Sequence, residues 1–210
     1  MDADRTPTPP DFDDAALREH PLASENLLQG NFLRVQRDTV RLPGGGTATR
    51  EYVRHPGAAV IVALLPDENE AGGWRVVLER QWRHPLGRAI IELPAGKLDP
   101  GEPPLHCARR ELREETGYTA REWACAGLMH PTPAYSTEGI HLWFARGLTA
   151  GPRQLDAGEH LHVFTATVPE LLDWCRQGRV TDSKTLAAAL WLQNHLSGAW
   201  PLDWQRDESA

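Results

Sequence analysis

Apolar positions along the chain fall into short extended stretches, with a few helical stretches set among them. Residues 31–54 are β-rich. Phe32, Val35 and Val40 lead into the flexible turn Pro43-Gly44-Gly45-Gly46, and 47–53 returns, which predicts a β-hairpin. The longest apolar run, 58–65, suits a buried strand. A polar loop at 66–73 separates it from a strand at 74–80, and another strand is predicted at 89–93. Residues 103–116 read as a helix. Prolines stand at its start, where a missing N–H costs nothing, and Leu105, Ala108 and Leu112 share one face. Gly117 follows, suited to a left-handed residue after a helix end. Further strands are predicted at 121–129, 140–145 and 161–166. Two closing helices fall near 169–177 and 183–195, with Gly178 ending the first and Ser183 able to cap the second. Strands outnumber helices and helices come at intervals, so the class is α/β (α+β).

Composition narrows this. At 210 residues, 40% of them hydrophobic and 24% charged, the chain can bury a sizeable core as one large domain or a domain plus an extra element. The expected division is a disordered tail (1–20), an N-terminal β element (21–55), a main domain (56–198) and a C-terminal extension (199–210). The net charge of −7 argues against a nucleic acid polymer as partner, which needs basic surface. No stretch approaches the ~18 apolar residues of a membrane helix. The acidic, Pro-rich start is unlike a secretory signal, so no membrane partner and a cytoplasmic location are expected. Three cysteines without a C-x-x-C pair and nine histidines without H-E-x-x-H spacing indicate neither a disulfide framework nor a zinc site.

The candidate chemistry lies between residues 96 and 118. On a helix, Glu111 and Glu115 stand one turn apart with Glu114 on the adjoining edge. Such a carboxylate run alone is ordinarily a solvated, salt-bridged face. The surrounding frame changes that. Gly96, Glu102, Arg110, Glu111, Leu112, Glu114, Glu115, Gly117 and Tyr118 fit G-x5-E-x7-R-E-U-x-E-E-x-G-U, where U is bulky and apolar. At ~7% frequency per specified residue, a chance match is below about one in a million.

This segment resembles the motif of the Nudix hydrolases. The resemblance implies an α/β/α sandwich around a mixed sheet, with an N-terminal β-hairpin element added, and hydrolysis of a nucleoside diphosphate linked to another group. It implies Mg²⁺, with Mn²⁺ as a substitute, held by Glu111, Glu115 and more weakly Glu114, with the Ala95 carbonyl as a further ligand. Gly96 and Gly117 then allow tight turns, and Glu102 and Arg110 orient the loop and ligands. Hard oxygen donors on a rigid element suit Mg²⁺.

Outside the motif, three stretches resemble the ADP-ribose pyrophosphatases. Glu79-Arg80-Gln81-Trp82-Arg83 followed by Ile91-Glu92-Leu93-Pro94-Ala95-Gly96 looks like that subfamily's lead-in, where the arginine approaches substrate and the glutamate lies near the metals. Pro133, within Thr132 to Glu138, matches a subfamily marker, although Ala134-Tyr135 stands where glycine is common. Asp156-Ala157-Gly158-Glu159-His160 resembles the acidic loop that carries a mobile general base. The implied catalytic set is Glu159, Glu114 and Arg110. The implied substrate contacts are Arg54, Trp82, Arg83, Glu92, Pro133 and Glu138. The expected substrate is ADP-ribose, yielding AMP and ribose 5-phosphate. The alternatives are another nucleoside diphosphate sugar, such as GDP-mannose or UDP-glucose, and a non-catalytic nucleotide-binding protein. A homodimer with the N-terminal β element at its interface is expected.

Overall fold

The computed structural model describes residues 14–155 and 158–207, which fall into two compact units. Most of the predicted tail, and Asp156-Ala157 of the acidic loop, lie outside the described residues.

The N-terminal unit runs to Arg54 and takes in Ala134–Ser136. Strands β1 (His20–Gln29), β2 (Arg34–Arg41) and β3 (Thr47–Val53) form an antiparallel three-stranded sheet in the order β1-β2-β3. Cross-strand polar pairs hold the register. Arg37 Nη2 donates to Glu51 Oε1 (2.6 Å), and the Tyr52 hydroxyl donates to Asp38 Oδ2 (2.8 Å). The structure therefore adds a strand to the predicted hairpin, and β1 begins inside the predicted tail. No periodicity announced β1, because every one of its ten positions is exposed.

The second unit holds β4 (Ala58–Pro66), β5 (Trp74–Arg83), β6 (Arg88–Glu92), β7 (Ala95–Lys97), α1 (Pro104–Glu111), β8 (Tyr118–Met129), β9 (Ile140–Ala150), β10 (Leu161–Thr167), α2 (Val168–Arg176), α3 (Ser183–Leu196) and β11 (Gln205–Arg206). Its sheet runs β10-β5-β4-β9-β8-β11, with β6 on β5 and β7 on β4. The β4–β9 pair is parallel and the other pairs are antiparallel, so the sheet is mixed.

Strand β4 explains its own unbroken apolar run, because both of its faces are covered. Ala58, Val60, Val62 and Leu64 join a core with Leu171, Ala188, Ala189 and Leu192 of α2 and α3. Ala59, Ile61 and Ala63 join a second core with Cys107 and Ala108 of α1 and with Leu112. The result is a sheet between helical layers.

Two local expectations are corrected. The predicted helix over 103–116 is α-helical only to Glu111, and residues Leu112–Thr116 form a π-helical turn ending at Gly117. A widened turn of this kind is frequent at functional sites. The cap of α3 is Asp182, whose carboxylate accepts from the Thr185 N–H (3.0 Å), while Ser183 is the first helical residue. The cysteines are free thiols, with Cys107 fully buried. No helix among the described residues is long and apolar enough to cross a membrane.

Candidate active site

The motif opens on β7, whose residues 95–97 pair with residues 58–60 of β4. Backbone pairing fixes the first turn of the site to the most enclosed strand. At position 96 the absence of a Cβ leaves room for the Glu111 carboxyl, which a Cβ there would overlap. At the far end Gly117 has φ +77°, and a Cβ would run into the Gly151 carbonyl oxygen.

Arg110 is the hub of the motif helix. Its Nε and Nη2 donate to Glu102 (3.0 and 2.9 Å), its Nη1 to Glu111 Oε1 (2.6 Å) and Glu114 Oε2 (3.2 Å), and its Nη2 also to the Lys97 carbonyl (3.0 Å). These bonds and charges, with Glu102 first, raise the guanidinium pKa. Glu102 in turn accepts from the Asp99 N–H (3.0 Å), and chiefly the Arg110 hydrogen bond lowers its pKa. Arg110 thus organises three carboxylates and closes the loop onto the helix, which is a positioning role.

Glu115 is nearly inaccessible and accepts from the Ala95 N–H through Oε2 (2.9 Å). Burial, and then the neighbouring Glu79, push its pKa up. Burial likewise raises Glu111 against the opposing pull of Arg110. These are carboxylates collected where their charge is costly. Glu159 sits before β10, where its Oε1 accepts from Gln81 Nε2 of β5 (3.3 Å).

A second cluster forms on β5, β6 and α3. Arg83 donates to both oxygens of Glu92 through Nε (2.6 Å) and Nη2 (2.8 Å), and Lys184 pairs with Glu92 Oε2 from the start of α3. Lys184 also meets Asp182 (3.1 Å), and the Thr185 hydroxyl accepts from the Leu93 N–H (3.0 Å). Burial opposes the Glu92 charge, but Arg83 and Lys184 outweigh it and hold its pKa below the ordinary range. Arg83 and Glu92 are therefore joined to each other, with Arg83 Nη1 outside the pair.

Trp82 and Pro133 are exposed. Glu138 Oε1 lies 3.7 Å from His55 Nε2. Arg54 ends the N-terminal unit, where its Nη1 reaches Gln36 Oε1 (3.4 Å).

Two residues escaped sequence reasoning. Glu79 is 3% exposed and faces Glu115, and burial raises its pKa. Alternation on β5 puts Val77, Glu79 and Gln81 on one side, and a carboxylate at such an inward position was the available signal. Lys184 left no local trace, because its partner Glu92 comes from a distant strand.

Among the described residues no three Asp, Glu, His or Cys side chains already stand in coordinating geometry. Glu111 and Glu114 are turned onto Arg110, and Glu79 and Glu115 onto each other. The donor set still fits a divalent cation. The donors are hard oxygens, two carboxylates share a buried space, and Glu79 Oε2 is buried without a hydrogen-bond partner.

Residues 54–189 match the NUDIX domain, and residues 19–53 match the nucleoside diphosphate sugar hydrolase N-terminal domain. The chain is 36% identical over 180 residues to an ADP-ribose pyrophosphatase of Bacillus subtilis, covering 85% of this chain and 94% of that protein. It is 38% identical over 177 residues to a methanol dehydrogenase activator of Bacillus methanolicus, covering 83% and 92%. A crystal structure of an ADP compounds hydrolase shares the fold, with a TM-score of 0.76 at 20% identity over 87% of this chain and 96% of the other. The generally metal-dependent chemistry of that domain accords with carboxylates gathered beside β7, and the chain belongs to the Nudix hydrolase family.

Proposed function

We propose that this chain hydrolyses the pyrophosphate of ADP-ribose to AMP and ribose 5-phosphate with Mg²⁺, and that Mn²⁺ can substitute. The observation that carries the reading is the enclosed Glu79–Glu115 pair beside Glu111, a negative site suited to a cation that offsets a pyrophosphate's charge. The kinship over 94% of the length of an ADP-ribose pyrophosphatase supports the substrate. When bound, the cation supplies charge neutralisation and a more acidic attacking water.

The chain's own residues do the rest. Glu159, held near the site by Gln81, takes the proton of the attacking water as general base. Arg83 is fixed by Glu92 with Nη1 left to meet a phosphate oxygen, and Glu92 is held in turn by Lys184. Arg110 keeps Glu111 and Glu114 aligned on the helix.

Purified protein with Mg²⁺ is expected to release AMP and ribose 5-phosphate, detected by mass spectrometry. Its kcat/KM for ADP-ribose is expected to exceed that for GDP-mannose and UDP-glucose by at least about tenfold. A higher value for either competitor would replace the substrate assignment.

The same reading includes a homodimer built through the N-terminal sheet. Leu22, Leu27 and Leu28 of β1 and the following Phe32 and Leu33 are all exposed, an apolar set that a second copy would cover. Light scattering is expected to give the mass of two chains. A monomer at micromolar concentration would count against the arrangement.

A further inference from the structure

The motif accounts for the carboxylates of the helix but not for Glu79, which comes from the sheet. Glu79 lies on β5, directly across from Glu92 on β6 and Val163 on β10. Val77, two residues earlier, packs in the core beneath α1, and Gln81, two residues later, holds Glu159. Alternation therefore turns Glu79 toward the motif between these two points.

A carboxylate with 3% exposure is costly unless something compensates it. The nearby cations are directed elsewhere. Arg83 and Lys184 are bonded to Glu92, and Arg110 to Glu102, Glu111 and Glu114. Glu79 instead faces another carboxylate, Glu115, and its Oε2 is buried with no hydrogen-bond partner. An apolar side chain would fill this strand position without that electrostatic cost.

We propose that Glu79 is a direct ligand of the divalent cation, its Oε2 joining Glu115 from the sheet side so that β5 and the motif helix grip the ion together. This rests on the reading of the site as a divalent-cation centre and adds an oxygen donor from outside the motif. It also gives Glu159, tethered to the same strand through Gln81, a fixed relation to the ion.

The test is Mn²⁺ binding to metal-stripped protein, with free Mn²⁺ read by electron paramagnetic resonance and no substrate present. Glu79→Gln is expected to raise the Kd by about tenfold or more. Its metal-free Tm should stay at or above that of the wild type, because the amide removes a buried charge. Glu79→Asp, which keeps the charge but withdraws the oxygen, should also weaken binding, and it serves if the first variant fails to fold. A Kd within twofold of wild type in the folded variants overturns the proposal. Glu115→Gln is run beside them. If it weakens binding and the Glu79 variants do not, only the role of Glu79 fails. If it too leaves the Kd unchanged, the cation-site reading fails with it.

Discussion

Glu115→Gln is expected to cost about 10³-fold or more in kcat, since metal-supplied charge stabilisation amounts to several kcal/mol. The same substitution is expected to make the metal-free protein more stable. The amide oxygen of glutamine can still accept from the Ala95 N–H, and its NH₂ can donate to Glu79, so the hydrogen bonds survive while a buried group that ionises only at a cost is removed. Relief of an uncompensated buried polar group is worth on the order of 1–3 kcal/mol. In a chain of this size each kcal/mol shifts Tm by about 2–4 °C.

The pH dependence of this effect has a definite sign. The folded-state pKa of Glu115 is raised by burial and by Glu79. Its favourable contribution is therefore fully present below the unfolded value near ~4.3 and is lost as pH rises toward the folded value. The stability advantage of metal-free Glu115→Gln should be absent at acid pH and grow through neutrality. Glu92, whose pKa is lowered, works in the opposite direction, but it is common to both proteins and cancels in the difference. Melting curves from pH 4.5 to 8 with and without Mg²⁺ read all of this. An equal Tm for both proteins across the range would show that burial does not raise the Glu115 pKa.

Gly96→Ala is expected to separate function from stability. The added methyl overlaps the carboxyl of Glu111, which is the far end of a flexible side chain. The protein can therefore relieve the clash by swinging that carboxyl away, at little cost to the fold. Gly96 is not among the residues with positive φ, so alanine meets no backbone strain. Misplacing a ligand by about 1 Å costs on the order of 10²-fold in rate, and that loss is expected here with Tm nearly unchanged. Gly44→Ala, where a Cβ meets nothing within 4 Å, is the neutral control. Full activity in Gly96→Ala would show that Glu111 does not work from its present position.

The parts legible in the sequence were those written locally. Glu111 and Glu115 belong to one spacing pattern, and the frame from Gly96 to Tyr118 lies within a single loop and helix. The buried strand β4 was legible because an apolar run enclosed on both faces has no polar interruptions. What escaped depended on chain segments meeting from afar. Glu79 and Glu115 are neighbours only because β5 passes beside the motif, and Lys184 finds Glu92 only because α3 returns over β6. Strand β1 showed no apolar periodicity because all of its positions are exposed. The π-helical turn at Leu112–Thr116 was invisible because its composition, Leu-Arg-Glu-Glu-Thr, suits an ordinary helix equally well.

Strand β4 acts as a partition between two packing environments. Ala59, Ile61 and Ala63 touch the core beneath the carboxylate helix, while Val60, Val62 and Leu64 touch the core beneath α2 and α3. Residues adjacent in sequence thus belong to different neighbourhoods, and residues two apart share one. Changes distributed across the two faces should combine almost independently, whereas changes on one face should couple.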